Sequence, residues 1–398
     1  MTDDREALVA WSALAEPADA AAGWLVDALG PAEALAWVRE VDADPVSATH
    51  ALLERHDPRR VDALIRASEP WRARLAGANP ALHRERAGAI GARVVARGDL
   101  EWPEVLDDLG QARPFVLWVR GGGVLADVFR GSIAIVGARS ATAYGQHVAS
   151  SFAGGVSDAG RAVISGGAYG IDAAAHRAAL TTATPTVAVM AGGVDRLYPL
   201  GNQDLLERIL DAGAVVSEVP PGFAPHRSRF LTRNRLIACA SVTCVVEAAW
   251  RSGALSTARH AAELARPVGA VPGPVTSASS AGCHALVRDG IATLVTSAAD
   301  LLELAGPIEA SGIAAGPDSG GPGARGDADW ADPRHRAAYD AVGARGSSIE
   351  DVARIAGLTI RDAAGALAAL ELSGRVGRSG SRWIRAAPHS QQKTDKTV

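Results

Sequence analysis

The segment 133–145, IAIVGARSATAYG, decides how the rest of the chain is read. Its first four residues, Ile133 to Val136, are apolar without alternation, as in a strand buried on both faces. Gly137 ends the run, and Arg139, Ser140 and Thr142 lead into a helical pattern near Tyr144. A buried strand, a glycine turn and a helix make the opening of a βαβ unit. Working outward, the same alternation recurs. Residues 162–165, 186–190, 214–217, 242–247, 267–271 and 292–295 read as strands, with helices expected to start near Ile171, Asn202, Phe230, Leu255, Gly282 and Ser297. This order predicts a Rossmann-like, doubly wound α/β domain with a mainly parallel sheet over residues 86–306.

The flanks have a different texture. Residues 1–85 carry short helical patterns broken at Gly30-Pro31, Asp57-Pro58 and Asn79-Pro80, as in a small all-helical module. Residues 93–95 and 115–119 look like short strands around a polar turn at 98–104. Residues 307–332 are rich in Gly, Pro, Ala and Ser without an apolar period, which predicts a flexible linker. Over 333–387, a helix near Arg334, a helix-turn-helix pivoting on Gly357-Leu358 and a glycine-tipped hairpin predict a winged helix. Its wing holds Arg375, Arg378, Arg382 and Arg385, and Trp383 is expected to close the hairpin onto the helices. The polar tail 388–398 is expected to be disordered.

The chain is long enough for a large apolar core. It shows neither a secretion signal nor an unbroken apolar run of about 18 residues, so the cytoplasm is the expected location and no membrane is implied. Cys239, Cys244 and Cys283 form no CxxC pair and are odd in number, arguing against disulfides and structural zinc. No metal or cofactor is expected. The net charge is only −4, so an anionic polymer needs a local basic patch.

That patch is sought at the carboxyl edge of the sheet, where open α/β domains bind ligands. After the first strand, Gly137 permits close backbone approach, Arg139 adds a forked cation, and free amides open the next helix. A simple turn with a solvated arginine is the equal alternative. The second turn, 165–172, is again glycine-rich at Gly166, Gly167 and Gly170. The third offers Tyr198, as a base platform or a packing anchor, and Asn202 as the cap of the next helix. Between Val219 and Val246 stand Arg227, Arg229, Arg233 and Arg235 with no carboxylate, and Phe230 lies among them. Arginines interleaved with an aromatic suit a sugar-phosphate strand with unpaired bases. A solvated loop or a pocket for an anionic metabolite is the other reading.

Catalytic patterns are weaker. Asp172 and His176, four apart on one helical face, have acid-base spacing, but a dipole-stabilised carboxylate and a hydrogen-bonded histidine explain the pair as well. GxxxxGK[ST], HExxH and GxSxG are all missing.

Taken together, Gly98-Asp99 with Trp102-Pro103, residues 135–145, residues 165–172 with His176, and Gly193 with Asp195, Tyr198-Pro199 and Asn202 make an ordered series. Ser217-Glu218, Arg233-Asn234-Arg235, Val246-Glu247-Ala248, Ser252-Gly253, Thr257-Ala258 and residues 270–273 continue it. The series resembles the DNA-processing protein A family, also called DprA or Smf. The resemblance implies a dimerising Rossmann-like domain that binds single-stranded DNA, protects it and loads the RecA recombinase during DNA uptake and transformation. Carried over by motif, Gly137, Arg139, Ser140, Gly166, Gly167, Arg233, Asn234 and Arg235 form the binding rim, without enzymatic activity. The chain departs from the family at Leu231, where proline is usual, and at His284, where asparagine is usual. Two rivals remain: a nucleotide phosphoribohydrolase, whose PGGxGTxxE segment is matched only at its glycines by residues 191–195, and a winged-helix transcription regulator.

Overall fold

The computed structural model describes residues 2–53, 57–307, 333–342, 346–372, 376–379 and 382–385. The expected linker beyond Pro307, the tail and Arg375 lie outside them. The described residues fall into two compact units, one ending at Pro307 and one starting at Pro333.

The first unit opens with six helices: α1 (Thr2–Leu14), α2 (Ala20–Leu29), α3 (Pro31–Ala43), α4 (Pro45–Leu53), α5 (Pro58–Arg74) and α6 (Pro80–Ala89). Four of them begin on a proline, whose missing N–H is no loss in a first turn. Asp19 caps α2, its carboxylate accepting from the amides of Ala21 and Ala22. Trp11 packs edge-on against Trp71 and stacks on Phe115, which belongs to the following α/β part. The helical layer thus shares a core with the sheet domain, with Phe115 and Phe223 packed against its cluster.

The sheet has nine strands: β1 (Ala92–Ala96), β2 (Val116–Gly121), β3 (Ile133–Val136), β4 (Val163–Ser165), β5 (Thr186–Val189), β6 (Ala214–Ser217), β7 (Val242–Val245), β8 (Val268–Ala270) and β9 (Thr293–Leu294). Their order is β1-β2-β6-β5-β4-β3-β7-β8-β9. Strands β3 to β9 pair in parallel, whereas β2 runs antiparallel to β6 and to β1. Connecting helices are α7 (Leu125–Phe129), α8 (Ala143–Asp158), α9 (Ile171–Ala179), α10 (Gln203–Ala212), α11 (Arg227–Ile237), α12 (Ala254–Glu263), α13 (Ala281–Arg288) and α14 (Ala298–Ala305). Separate apolar clusters cover the sheet, one with Val136, Ile164 and Val245, another with Ile133, Ile135 and Val163. The expected doubly wound sheet is therefore present.

Chain order reverses at β3. Strands β4 to β6 step away on one side, then α11 carries the chain back so that β7 pairs with β3 on the other. The carboxyl ends of β3 and β7 flank the crevice that this switch creates.

The second unit contains α15 (Pro333–Ala341), α16 (Ile349–Ala356), α17 (Ile360–Leu372) and the antiparallel pair β10 (Val376–Ser379) and β11 (Arg382–Arg385). Ser348 caps α16, and Gly357 closes it with a left-handed φ of 67°. Trp383 is buried with Leu367 and Leu370, so the winged helix has its own core and the indole is a core residue, as expected.

Candidate functional site

Four loops meet at the carboxyl edge, and close backbone approach sets their glycines. A Cβ on Gly137 would lie 2.6 Å from Cγ1 of Ile171 and 2.9 Å from the carbonyl oxygen of Glu247, so no side chain fits there. The Ala138 amide donates to the Glu247 carbonyl at 2.7 Å, tying the loops after β3 and β7, and the Ile171 amide donates to the Ala138 carbonyl. Gly170, at a φ of 76°, presses against the carbonyls of Ala138 and Arg139. Buried Glu247 accepts from the amide and hydroxyl of Thr142 at 2.9 and 2.6 Å. Asn202 stands at the N-cap of α10, but its side chain makes no cap bond: its amide donates to the carbonyls of Gly167 and Ala168, both at 3.0 Å, and bridges the loops after β4 and β5.

The arginine run is a helix rather than an open loop. Helix α11 starts at Arg227, three residues before the expected Phe230, with no carboxylate in its first turn. Cations there oppose the helix dipole, which is why the start was unreadable. Only Arg227 is exposed. Arg229 is buried, gripping the two carboxylate oxygens of Glu16 at 2.9 Å each and the Ala224 carbonyl at 3.0 Å. Arg235, 3 % exposed, pairs with Glu218 at 2.7 and 2.5 Å and donates to the Ala112 carbonyl. Glu218 stands one residue before the carboxylate-free stretch, and Glu16 lies over two hundred residues away. Both guanidiniums are committed to holding α11 in place.

Arg233 is different. It is 6 % exposed and forms part of the cleft floor. Its Nη1 donates to the carbonyls of Gly166 and Val189, while its Nε has no partner among the described residues. Asp172, buried beside it, accepts from the amides of Gly166 and Ala168 at 3.1 and 3.3 Å. Burial lowers the Arg233 pKa to about 10 although the Asp172 charge works against it; burial likewise raises that of Asp172 against the pull of Arg233 and the loop amides. A Cβ on Gly166 would lie 2.6 Å from the guanidinium, which explains the glycine. His176 is fully buried, and its Nδ1 meets the Thr186 hydroxyl at 2.8 Å. Because that hydroxyl donates to the Val163 carbonyl, Nδ1 carries the proton. Burial, with the Arg233 charge nearby, drops the imidazole pKa to about 3.

Above this floor opens a cleft of about 270 Å³. Phe230 and Leu231 form one wall, Ser252, Gly253 and Ala254 the other, and Arg139 stands at the mouth. The exposed Arg139 guanidinium lies 5.3 Å from the Phe230 ring centroid, and Tyr198 packs on Phe230 at 5.7 Å. Ser140 is exposed beside Arg139, and buried Asn234 donates to the Gly253 carbonyl at 3.2 Å. The structure thus gathers Gly137, Arg139, Ser140, Gly166, Gly167, Phe230, Arg233 and Asn234 around one crevice, and leaves Arg229 and Arg235 in ion pairs behind it. Reading the sequence missed the wall at 252–254 and the counter-charge role of Asp172. A Ser-Gly pair after a buried strand was the available signal. His284, one of the family departures, holds the Gly273 carbonyl at 3.0 Å. No group of three or more His, Cys, Asp or Glu among the described residues can hold a metal ion, and no described helix is long and apolar enough to cross a membrane.

A family model described as DNA recombination-mediator protein A matches residues 93–306, over half of the chain. The chain belongs to that family. The match covers the whole parallel sheet and every loop of the cleft. A second model, the DprA winged helix domain, matches residues 322–380, in agreement with the second unit. Among relatives of the DNA recombination-mediator protein A family, a putative DNA processing protein DprA of Mycobacterium tuberculosis is 42 % identical over 94 % of this chain and 92 % of its own length. The solved DNA processing protein A of Streptococcus pneumoniae is 32 % identical with a TM-score of 0.54, covering 61 % of this chain and 84 % of that one. That of Helicobacter pylori, described for its single-stranded DNA binding mode, is 25 % identical with a TM-score of 0.48, covering 53 % and 93 %.

Proposed function

We propose that the protein is a single-stranded DNA-binding recombination mediator that protects incoming DNA and loads RecA onto it during natural transformation. It acts as a homodimer in the cytoplasm and without turnover. One observation carries the reading: at the sheet's switch point, a cleft floored by Arg233 opens beneath Arg139 and Phe230, with the Tyr198 ring tilted against Phe230. A cation and aromatic faces at one mouth suit a phosphate and an unpaired base together. Gly137, Ser140, Gly166, Gly167 and Asn234 shape the rim, and Arg227 extends its positive edge. Arg229 and Arg235 serve by positioning α11. Family membership supports the recombination-mediator role.

The absence of turnover is supported by the state of the two candidate acid-base groups. Asp172 is occupied by loop amides with the Arg233 charge nearby, and His176 is buried and neutral at ordinary pH. The phosphoribohydrolase alternative also lacks its threonine and glutamate after Gly192-Gly193.

Salt-titrated anisotropy with single-stranded and duplex DNA tests the proposal. Single strands of different sequence should bind alike and more tightly than duplex. Arg139→Ala should weaken them uniformly and flatten the log-log salt slope by about 0.7, one phosphate contact's worth. A folded variant with unchanged affinity and slope, or a preference for duplex, would show that this cleft does not hold the strand.

A further inference from the structure

Resting on the single-strand reading above, we infer that Trp250 is a second base-stacking platform, in the loop that leads to the cleft wall opposite Phe230. A bound strand then crosses the switch point between two aromatic supports.

Trp250 follows β7 in the short loop that runs into Ser252, Gly253 and Ala254, the residues forming that wall. Its side chain is not used by the core: the residue is 61 % exposed. The Arg288 guanidinium lies 5.8 Å from the indole centroid, and its neighbour Asp289 accepts from it at 3.1 Å. Arg251 beside it is also exposed. Glu247 is the only carboxylate in residues 246–253, and it is buried under Thr142 and Ser279. An exposed indole two residues from the wall of a cleft floored by arginine, with Arg251 and Arg288 beside it, fits a polyanion carrying flat bases.

Spacing agrees. Tyr198 follows β5 and Trp250 follows β7, three strand intervals apart in the order β5-β4-β3-β7. At about 4.8 Å per interval this is about 14 Å, some four rises of ~3.4 Å in a stacked strand. A very short oligonucleotide seated on Phe230 therefore ends before Trp250, and a longer one reaches it.

The test uses the full chain, Trp250→Ala, Trp250→Phe and, as reference, Phe230→Ala, with oligothymidylates of about three and about eight nucleotides. Trp250→Ala should bind the longer oligomer about five- to tenfold more weakly and the shorter one as the wild type does, whereas Trp250→Phe should recover most of the loss. Phe230→Ala should weaken both lengths. Equal binding of the longer oligomer by wild type and Trp250→Ala overturns the inference, and more pointedly so if that variant changes oligomeric state, which would make the indole a protein contact. Equal losses at both lengths also overturn it, because Trp250 would then only shape the wall. A wild-type chain that binds neither oligomer instead defeats the single-strand reading itself.

Discussion

His176 shows how a residue with catalytic spacing becomes a structural one. Its Nδ1–H is engaged by Thr186, its Nε2 has no partner among the described residues, and it is buried near the Arg233 charge. The folded chain therefore keeps it neutral down to about pH 3, while the unfolded chain protonates it near pH 6.5. Below that value the unfolded state binds the extra proton, so this contribution to stability is complete above pH 6.5 and is lost as pH falls toward 3. The span corresponds to about 5 kcal/mol at most. Urea midpoints should fall steeply from pH 7 to 4 in the wild type and less steeply in His176→Gln. Parallel slopes would show that the imidazole is already hydrated in the folded protein. At this scale the sequence was only half legible. Arg139 and Phe230 could be placed at the mouth because loop position and residue type suffice. Whether an arginine is free could not be read, since Arg229, held by Glu16, and Arg233, held by the Gly166 and Val189 carbonyls, depend on partners that only folding brings near.

Helix α11 is the element on which the site is mounted, and it is held by a part-buried ion pair from Arg229 to Glu16 and a buried one from Arg235 to Glu218. The Glu16 carboxylate, in the turn between α1 and α2, receives Arg229 and Arg74, with His226 at 3.6 Å. Removing it leaves Arg229 almost buried and unpaired, which should cost about 1–3 kcal/mol. Glu16→Ala should accordingly raise amide hydrogen exchange in α1 and in the first turns of α11 while β3 to β5 keep their protection. Unchanged exchange in α11 would mean that the helix is secured by Arg235 and Glu218 alone. Element reading from sequence succeeded where β-branched runs are short and bounded: β3 and β6 match residue for residue. It missed α7, which is only five residues long, and the start of α11, where positive side chains contradict the usual pattern of a first turn.

At the scale of the whole molecule, the proposed strand site lies in the first of two units with separate cores. The exposed residues described in α17 are Ile360, Arg361, Gly365, Ala368 and Glu371, of which only Arg361 is cationic. In the wing, Arg378 covers the Trp383 ring and lies 4.0 Å from Glu371. A chain ending at Pro307 should therefore bind single-stranded DNA within roughly tenfold of the full chain, the difference reflecting effective concentration only. A folded, truncated protein without affinity would move the main site to the winged helix. A boundary was expected at residues 307–332 because they lack any apolar period, whereas the sharing of a core between the first helices and the sheet could not be read, since Phe115 and Phe223 carry no local sign of it. One property of the large unit reaches beyond affinity. Its cleft loops are laced to one another by Ala138, Ile171 and Asn202, so the mouth has little left to rearrange. On the proposed reading, the disorder surrendered on association belongs almost wholly to the nucleic acid. Such a receptor would sort its ligands by their own reluctance to unfold: a slack, unstructured strand would enter readily, and a hairpin would first have to be melted at its own expense.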